Sequence, residues 1–203
     1  MPSSENHDEL FRFAFCALLA GTVIMRLVFA QRVHRAGGRL MPDRAAIRRE
    51  GRGIFTLRVL VFLFLIALLV YAVLPRHFPA LSLPLPDAAR WAGVALGVAS
   101  LGLWTWTHIA LGRLWSAQLQ LRDDHRLVTT GPYARIRHPM YTAIIAWMIG
   151  AALITANWAV VAFAAAMMVF VAARVPREEQ MMLERFGDDY RDYMRRTSRF
   201  LPG

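Results

Sequence analysis

The sequence lacks several features that soluble proteins commonly use. It has a single cysteine, Cys16, which excludes an intrachain disulfide framework and a cysteine-based metal site within one chain. It has no lysine, so all 24 basic residues are arginine, and it has no glycine-rich dinucleotide-binding loop. Only 19% of the residues are charged, whereas 57% are hydrophobic. This balance is typical of a polytopic membrane protein.

The formal net charge of +10 would also suit a protein that binds nucleic acid. Here, however, the arginines lie between long apolar runs, where membrane topology and anionic lipid headgroups account for them. We therefore expect membrane lipids as partners and no nucleic acid.

Four apolar blocks, residues 11–30, 57–74, 91–112 and 139–173, follow one another along the chain. A membrane-spanning helix needs about 20 residues, so each of the first three blocks suits one span. The fourth has about 35 residues and no formal charge, which is too long for one span and enough for two short ones. Thr155-Ala156-Asn157-Trp158 near its middle predicts the tight turn of a helical hairpin. The predicted spans are residues 11–30, 57–74, 91–112, 139–155 and 158–173.

The placement of arginine supports this division independently. Arginines are concentrated in the segments 32–52, 113–137 and 174–199. The positive-inside rule favours a cytoplasmic location for all three, which requires an even number of crossings between residues 139 and 173. Five spans, with the N-terminus outside and the C-terminus inside, satisfy that condition.

Two segments outside the spans complete the predicted architecture. Residues 113–138 form a cytoplasmic connector, in which alternating residues near 117–122 indicate a short extended element. Residues 176–196 place Met182, Phe186, Tyr190 and Tyr193 at helical spacing, which predicts an amphipathic helix on the membrane surface. The expected fold is an all-α polytopic membrane protein, a single membrane domain over residues 1–203 with a cytoplasmic C-terminal half.

The predicted hairpin would bring two polar clusters to the same face of the membrane. His138 and Tyr141 precede the apolar block, and Arg174, Glu178 and Glu179 follow it. Paired acids at a helix start can accept hydrogen bonds from ribose hydroxyls or an ammonium group, and an arginine can bind a carboxylate. Each residue also has a structural explanation, since prolines, arginines and acids favour helix starts and membrane interfaces. No recognised metal-ligand spacing is present, so we expect no metal site.

The residues of both clusters resemble the isoprenylcysteine carboxyl methyltransferase family, and more closely its small five-span prokaryotic members. The resemblance covers residues from about 111 to 202 and is weak over the first two spans. Three motifs carry it: Gly131-Pro132-Tyr133 with Arg137-His138-Pro139-Met140-Tyr141, then Arg174-Val175-Pro176-Arg177-Glu178-Glu179, then Phe186-Gly187-Asp188-Asp189-Tyr190 with Tyr193.

The resemblance implies an S-adenosylmethionine (AdoMet) site enclosed by the C-terminal half. Arg174 matches the family's substrate-facing arginine, which would orient the acceptor carboxylate. The positions that match the cofactor site are Gln118, His125, Arg126, Leu127, Val128, Tyr133, His138, Pro139, Met140, Tyr141 and Glu178.

The expected activity is transfer of a methyl group from AdoMet to the carboxylate of a lipophilic small-molecule or prenylated acceptor. A carboxylate is ionised at neutral pH and needs no general base. Two alternatives stay open: a phospholipid-type N-methyltransferase, and a non-catalytic polytopic membrane protein. Arg174 favours an anionic acceptor over an amine.

Overall fold

The structure, a computed structural model, describes residues 2–35, 81–112 and 127–202, together with positions 59, 62, 63, 66, 68, 69 and 71. Within these ranges the regular elements are helices, and β-pairing is confined to two isolated bridges. The chain order is α1 (Pro2–Arg35), α2 (Asp87–Leu111), a 3₁₀ turn (Gly131–Ala134), α3 (Pro139–Thr155), α4 (Trp158–Phe186) and α5 (Asp188–Arg196).

Three of these helices are long and apolar enough to cross a membrane. They are His7–Arg35 within α1, the whole of α2 and the whole of α4, whereas α3 is a shorter apolar helix of 17 residues. Large apolar side chains face outward along them: Phe13, Val98 and Val169 are 73%, 61% and 70% exposed. Such exposure would be unfavourable in water and is suited to lipid. The described part of the chain is therefore an all-helical integral membrane fold.

Helices α3 and α4 form an antiparallel pair joined at Ala156 and Asn157. Ala156 ends α3 with a left-handed backbone, φ 45° and ψ 49°, which turns the chain sharply. Asn157 then caps α4, because its side-chain oxygen accepts a hydrogen bond from the N–H of Ala159 at 2.9 Å. The start of α3 and the second half of α4 thus come to the same end of the fold.

Helices α2 and α3 approach each other closely at three glycines, Gly93, Gly97 and Gly150. A Cβ added at Gly150 would lie 2.9 Å from the carbonyl oxygen of Gly93 and 2.9 Å from the nitrogen of Gly97. Only glycine permits that separation, because any side chain would meet backbone atoms that cannot move aside. Around this contact the buried core includes Phe11, Phe15, Leu68, Trp147, Ile154 and Met167.

Arg90 ties three helices together at the end of the fold where α2 begins. Its Nε donates to the carbonyl of Ile154 at 3.1 Å, and its Nη1 donates to Asp8 at 2.5 Å. Its guanidinium lies 4.1 Å from the ring centroid of Phe11. Trp91 and Trp158 are about half exposed near this end, as expected for aromatic residues at a membrane interface.

The structure differs from the sequence-based expectation around Pro176. The predicted fifth span, 158–173, and the first part of the predicted amphipathic helix, 176–196, form one continuous helix, α4. Pro176 lies inside it, and the break comes later, at Gly187, whose φ is 54°. Proline removes one helical hydrogen bond, but helices at membrane depth tolerate it where neighbouring groups compensate. The amphipathic segment is therefore divided between the end of α4 and the short helix α5.

Two predicted segments lie largely outside the described residues. They are the second span, 57–74, and the connector, 113–138. Seven single positions of the span and residues 127–138 of the connector are described. The first and third predicted spans, 11–30 and 91–112, lie within α1 and over most of α2.

Candidate active site

One end of the fold gathers polar side chains from the start of α3 and the second half of α4. His138 is the N-cap of α3, and Pro139 is its first residue, where the missing N–H costs no hydrogen bond. On α4, Arg174 and Glu178 are one turn apart and therefore lie on the same helix face. The helical pair thus places the two polar clusters next to each other.

Glu178 is bonded from both helices through one carboxylate oxygen. Tyr141 on α3 donates its hydroxyl to Oε1 of Glu178 at 2.6 Å, and Arg174 donates its Nε to the same oxygen at 2.9 Å. The side chains of Glu178 and Arg174 are only 20% and 11% exposed. Charge-assisted hydrogen bonds of this kind hold the carboxylate in one orientation in a largely buried position.

His138 lies between Glu178 and Glu179 of α4 without a short bond to either. Its Nδ1 is 3.8 Å from Oε2 of Glu178, and its Nε2 is 3.4 Å from Oε1 of Glu179. Burial lowers the pKa of His138 below its usual value, although the two carboxylates oppose this effect and Arg137 adds to it. The imidazole is therefore mainly neutral at pH 7, and its buried Nε2 has no hydrogen-bond partner among the described residues.

Glu179 has surroundings quite different from those of Glu178. It is 4% exposed and is bonded by two arginines, with Arg137 Nε at 3.0 Å and Arg199 Nη2 at 2.7 Å. Arg137 also donates to the carbonyls of Met194 and Thr197. Sequence reasoning placed Glu179 near the site but did not identify Arg137 and Arg199 as its partners. Arg137 belongs to one of the motifs described above, but nothing in the sequence indicates that either arginine pairs with Glu179.

Tyr133 reaches the site from the 3₁₀ turn before α3. Gly131 begins the turn with φ 60°, and a Cβ there would lie 3.3 Å from Nε1 of Trp106 on α2. The hydroxyl of Tyr193 on α5 donates to the carbonyl of Tyr133 at 2.7 Å. Burial raises the pKa of Tyr193 to about 12, so the hydroxyl keeps its proton for this bond. Burial likewise raises the pKa of Tyr133.

Comparisons with known proteins show which family this part of the chain resembles. The sequence model of the "Isoprenylcysteine carboxyl methyltransferase (ICMT) family" matches residues 93–184. The expected resemblance to the ICMT family is confirmed. The match runs from α2 to the end of α4 and includes Tyr141, Arg174 and Glu178. It leaves out α1, α5 and the segment that contains Arg199.

Two curated relatives and one solved structure show which proteins this chain resembles. Protein-S-isoprenylcysteine O-methyltransferase B of Arabidopsis thaliana is 33% identical over 97 residues, 46% of this chain and 49% of that protein. The nickel-cobalt-cadmium resistance protein NccN of Alcaligenes xylosoxydans xylosoxydans is 34% identical over 113 residues, 55% of this chain and 52% of that protein. The matched part of the chain thus spans about half the length of these relatives.

The solved structure is that of the eukaryotic intramembrane Ras methyltransferase ICMT. It superposes with a TM-score of 0.52 and 25% identity, over 73% of this chain and 51% of that chain. The described part of this chain therefore shares a helical membrane fold with that protein.

The structure brings together only some of the residues that the ICMT resemblance suggested. His138, Tyr141, Arg174 and Glu178 form one cluster through the contacts given above. Pro139 is buried at the start of α3, and Met140 beside it is half-buried, as are Leu127, Val128 and Tyr133. Gln118, His125 and Arg126 lie outside the described residues.

Proposed function

We propose that this protein is an AdoMet-dependent methyltransferase that esterifies the carboxylate of a lipophilic acceptor at the membrane surface. The observation that carries the proposal is the fixed, largely buried Glu178 carboxylate, bonded by Tyr141 and Arg174 beside the neutral imidazole of His138. The likeness to the ICMT family supports the choice of reaction.

The residues at the site fit the cofactor's chemistry. Oε1 of Glu178 accepts both hydrogen bonds that the described residues make to this side chain, while Oε2 lies 3.8 Å from Nδ1 of His138. A carboxylate oxygen in that position suits hydroxyl, ammonium or sulfonium groups. The buried Nε2 of His138 adds a polar atom that has no hydrogen-bond partner in the described part of the chain. When bound, AdoMet supplies an electrophilic methyl group on a sulfonium centre.

The proposed cofactor residues include positions suggested by the family resemblance as well as those gathered in the cluster. In this proposal Glu178, His138, Tyr141 and Tyr133 bind polar parts of AdoMet, and the buried and half-buried apolar residues exclude water. The full proposed set is Gln118, His125, Arg126, Leu127, Val128, Tyr133, His138, Pro139, Met140, Tyr141 and Glu178.

Arg174 is the proposed contact for the acceptor carboxylate. A guanidinium carries five N–H donors, so an arginine that bonds one carboxylate through Nε can bond a second through its other nitrogens. The contact between Arg174 and Glu178 would therefore persist and hold the guanidinium in one orientation. Because a carboxylate is already ionised at pH 7, the protein's contribution is positioning and water exclusion.

The exposed apolar surface of α4 suggests how the acceptor arrives. Val169 and Met168 face outward on the helix that carries Arg174 and Glu178. We propose that a lipophilic acceptor, such as a prenylated cysteine carboxylate, enters from the bilayer while AdoMet enters from the cytoplasm. The proposal includes five spans, with the N-terminus outside and the site on the cytoplasmic side, because this topology satisfies the positive-inside rule.

Binding of AdoMet to the purified full chain in detergent tests the first half of the proposal. We expect calorimetry to detect binding in the wild type, and Glu178→Gln to weaken it by roughly tenfold or more, since a hydrogen bond to a charged group contributes about 1.5–3 kcal/mol. Glu184→Gln is the matched control, because Glu184 lies exposed on the same helix and bonds only Gln180 among the described residues. Absence of binding in the wild type would overturn the proposal.

Transfer of labelled methyl groups tests the second half. Farnesylated thiol-carboxylates, fatty acids and amino lipids are incubated with the protein and methyl-labelled AdoMet. A methyl ester releases labelled methanol in mild base, whereas a methylated amine retains its label. We expect base-labile label, and expect Arg174→Gln to reduce its formation more than it reduces AdoMet binding. Base-stable label would instead identify an N-methyltransferase.

A further inference from the structure

Residues 197–200, here called the strap, run alongside the segment that leads into α3. Ser198 and Ile136 form a parallel bridge. The N–H of Arg137 donates to the carbonyl of Ser198 at 2.8 Å, and the N–H of His138 donates to the carbonyl of Arg199 at 3.0 Å. The backbone position of His138 therefore depends directly on the strap.

Side chains connect the strap to α3 and α4 as well. Thr142 on α3 donates its hydroxyl to the carbonyl of Phe200 at 2.6 Å. Arg199 extends from a half-exposed position to the buried carboxylate of Glu179 on α4, with its Nε 3.1 Å and its Nη2 2.7 Å from Oε2. Since Arg137 bonds the same carboxylate, Glu179 joins the strap and the α3 entry to a single point on α4.

The ring of His138 is enclosed by groups that these contacts hold. The ring of Phe200 in the strap lies 6.1 Å from the imidazole centroid, and the ring of Tyr141 lies 5.8 Å from it. Oε1 of Glu179 is 3.4 Å from Nε2. The strap thus surrounds His138 in three ways. The carbonyl of Arg199 accepts a hydrogen bond from the N–H of His138, the ring of Phe200 lies beside the imidazole, and the guanidinium of Arg199 binds the nearby Glu179 carboxylate.

We propose that Glu179 and Arg199 are positioning residues. They hold the strap against the start of α3 so that His138 is oriented within the proposed AdoMet site. This inference rests on the proposed function. Neither residue needs to touch the cofactor, because Arg199 acts through the strap and Glu179 acts through Arg199, Arg137 and His138. The strap lies beyond residues 93–184, so the family match itself gives no information about it.

Arg199→Met tests the inference, with Arg191→Met as its matched control. Both arginines have exposed side chains, but Arg191 pairs only with the exposed Asp188 among the described residues. We expect Arg199→Met to weaken AdoMet binding roughly tenfold, because misplacing a binding group by about an ångström is costly. The control should stay within about twofold of the wild type. Equal affinities for Arg199→Met and wild type would refute the inference.

Amide hydrogen exchange separates a positioning role from general destabilisation. The N–H groups of Arg137 and His138 donate hydrogen bonds to carbonyls of the strap. In Arg199→Met we expect faster hydrogen exchange at these two groups and unchanged exchange within α2. Arg199→Lys retains the charge but not the paired donors, so it should restore part of the affinity. Exchange that increases equally throughout the protein would contradict a local strap.

AdoMet affinity and amide hydrogen exchange together distinguish a failure of this inference from a failure of the proposed function. If the wild type does not bind AdoMet, the proposed function is overturned, and with it the role of the strap in cofactor binding. If the wild type binds AdoMet and Arg199→Met exposes Arg137 and His138 without losing affinity, only the positioning role is overturned. Loss of affinity together with local exposure supports both.

Discussion

Glu178 and Glu179 are consecutive residues of α4 that serve different parts of the structure. Glu178 accepts hydrogen bonds from Tyr141 and Arg174, whereas Glu179 accepts them from Arg137 and Arg199. Successive helical residues point about 100° apart, so the two acids extend in different directions and bind different donors, although both lie near His138. The pair therefore links α4 both to the proposed ligand site and to the strap.

Tyr141→Phe should weaken AdoMet binding while leaving the fold intact. The substitution removes only the hydroxyl that donates to Glu178 at 2.6 Å. Hydrogen bonds to charged groups contribute about 1.5–3 kcal/mol, so we expect at least a tenfold loss of affinity by calorimetry.

A double-mutant cycle identifies the cause of that loss. Tyr141→Phe and Glu178→Gln alter the same hydrogen bond, so their combined effect should be smaller than the sum of the two separate effects. Strict additivity would mean that the two side chains contact the cofactor independently.

Gly150→Ala should destabilise the fold because α2 and α3 meet at this glycine. Its new Cβ would lie 2.9 Å from backbone atoms of Gly93 and Gly97, and backbone cannot yield as a side chain can. Overpacking of this kind costs about 1–3 kcal/mol, which a thermal unfolding scan in detergent would record as a lower midpoint. Gly102→Ala is the control, since among the described residues no atom beyond its own stretch of helix lies within 4 Å of the Cβ position there. The same midpoint in both variants would show that the close approach is unimportant.

Stability should fall as the pH is lowered from 7 towards 5, in part because of His138. Histidine in an unfolded chain titrates near 6.5, whereas burial holds the pKa of His138 below that value in the fold. The unfolded state therefore binds more protons in this interval, and the free energy of unfolding decreases as the pH falls. Glu178 and Glu179 limit the decrease, and Arg137 increases it.

His138→Gln isolates this contribution from those of other titrating groups. The variant has no imidazole at position 138, so its unfolding midpoint should depend less steeply on pH over the same range. Identical slopes for the variant and the wild type would place the pH dependence elsewhere.

Arg90→Met should reduce stability without affecting the proposed site. Arg90 is buried and bonds the carbonyl of Ile154, at the end of the fold opposite to His138. Removing the donor leaves that carbonyl without this bond, at a cost of about 1–3 kcal/mol. Asp8→Asn is the control, because Asp8 is 70% exposed and the amide oxygen of an asparagine can still accept the hydrogen bond from Arg90. Loss of AdoMet affinity in Arg90→Met would mean that the two ends of the fold are coupled.

Local sequence signals account well for the junction between α3 and α4. Asn157 is a favoured helix cap and Pro139 a favoured first helical residue, and each acts through its immediate neighbours. The absence of formal charge from Pro139 to Ala173 indicates that this part of both helices lies in lipid. Such features can be predicted because the residues that cause them are close in sequence.

The Glu179 contacts and the path of α4 could not be predicted in this way. Arg137 and Arg199 lie 42 and 20 residues from Glu179 along the chain, and many other arginines would satisfy the same charge. Pro176 suggests a helix start, yet α4 continues through it. In both cases tertiary packing decides among options that are locally equivalent.

The continuity of α4 also fixes the distance between its lipid-facing surface and the proposed site. Val169, which is 70% exposed, and Glu178 are nine residues apart on one helix, or about 13 Å along its axis. A rigid helix keeps that separation constant, so the thickness of the surrounding bilayer determines how far Glu178 stands from the lipid tails. The depth at which an acceptor presents its carboxylate thereby becomes a criterion of substrate choice, alongside its chemistry.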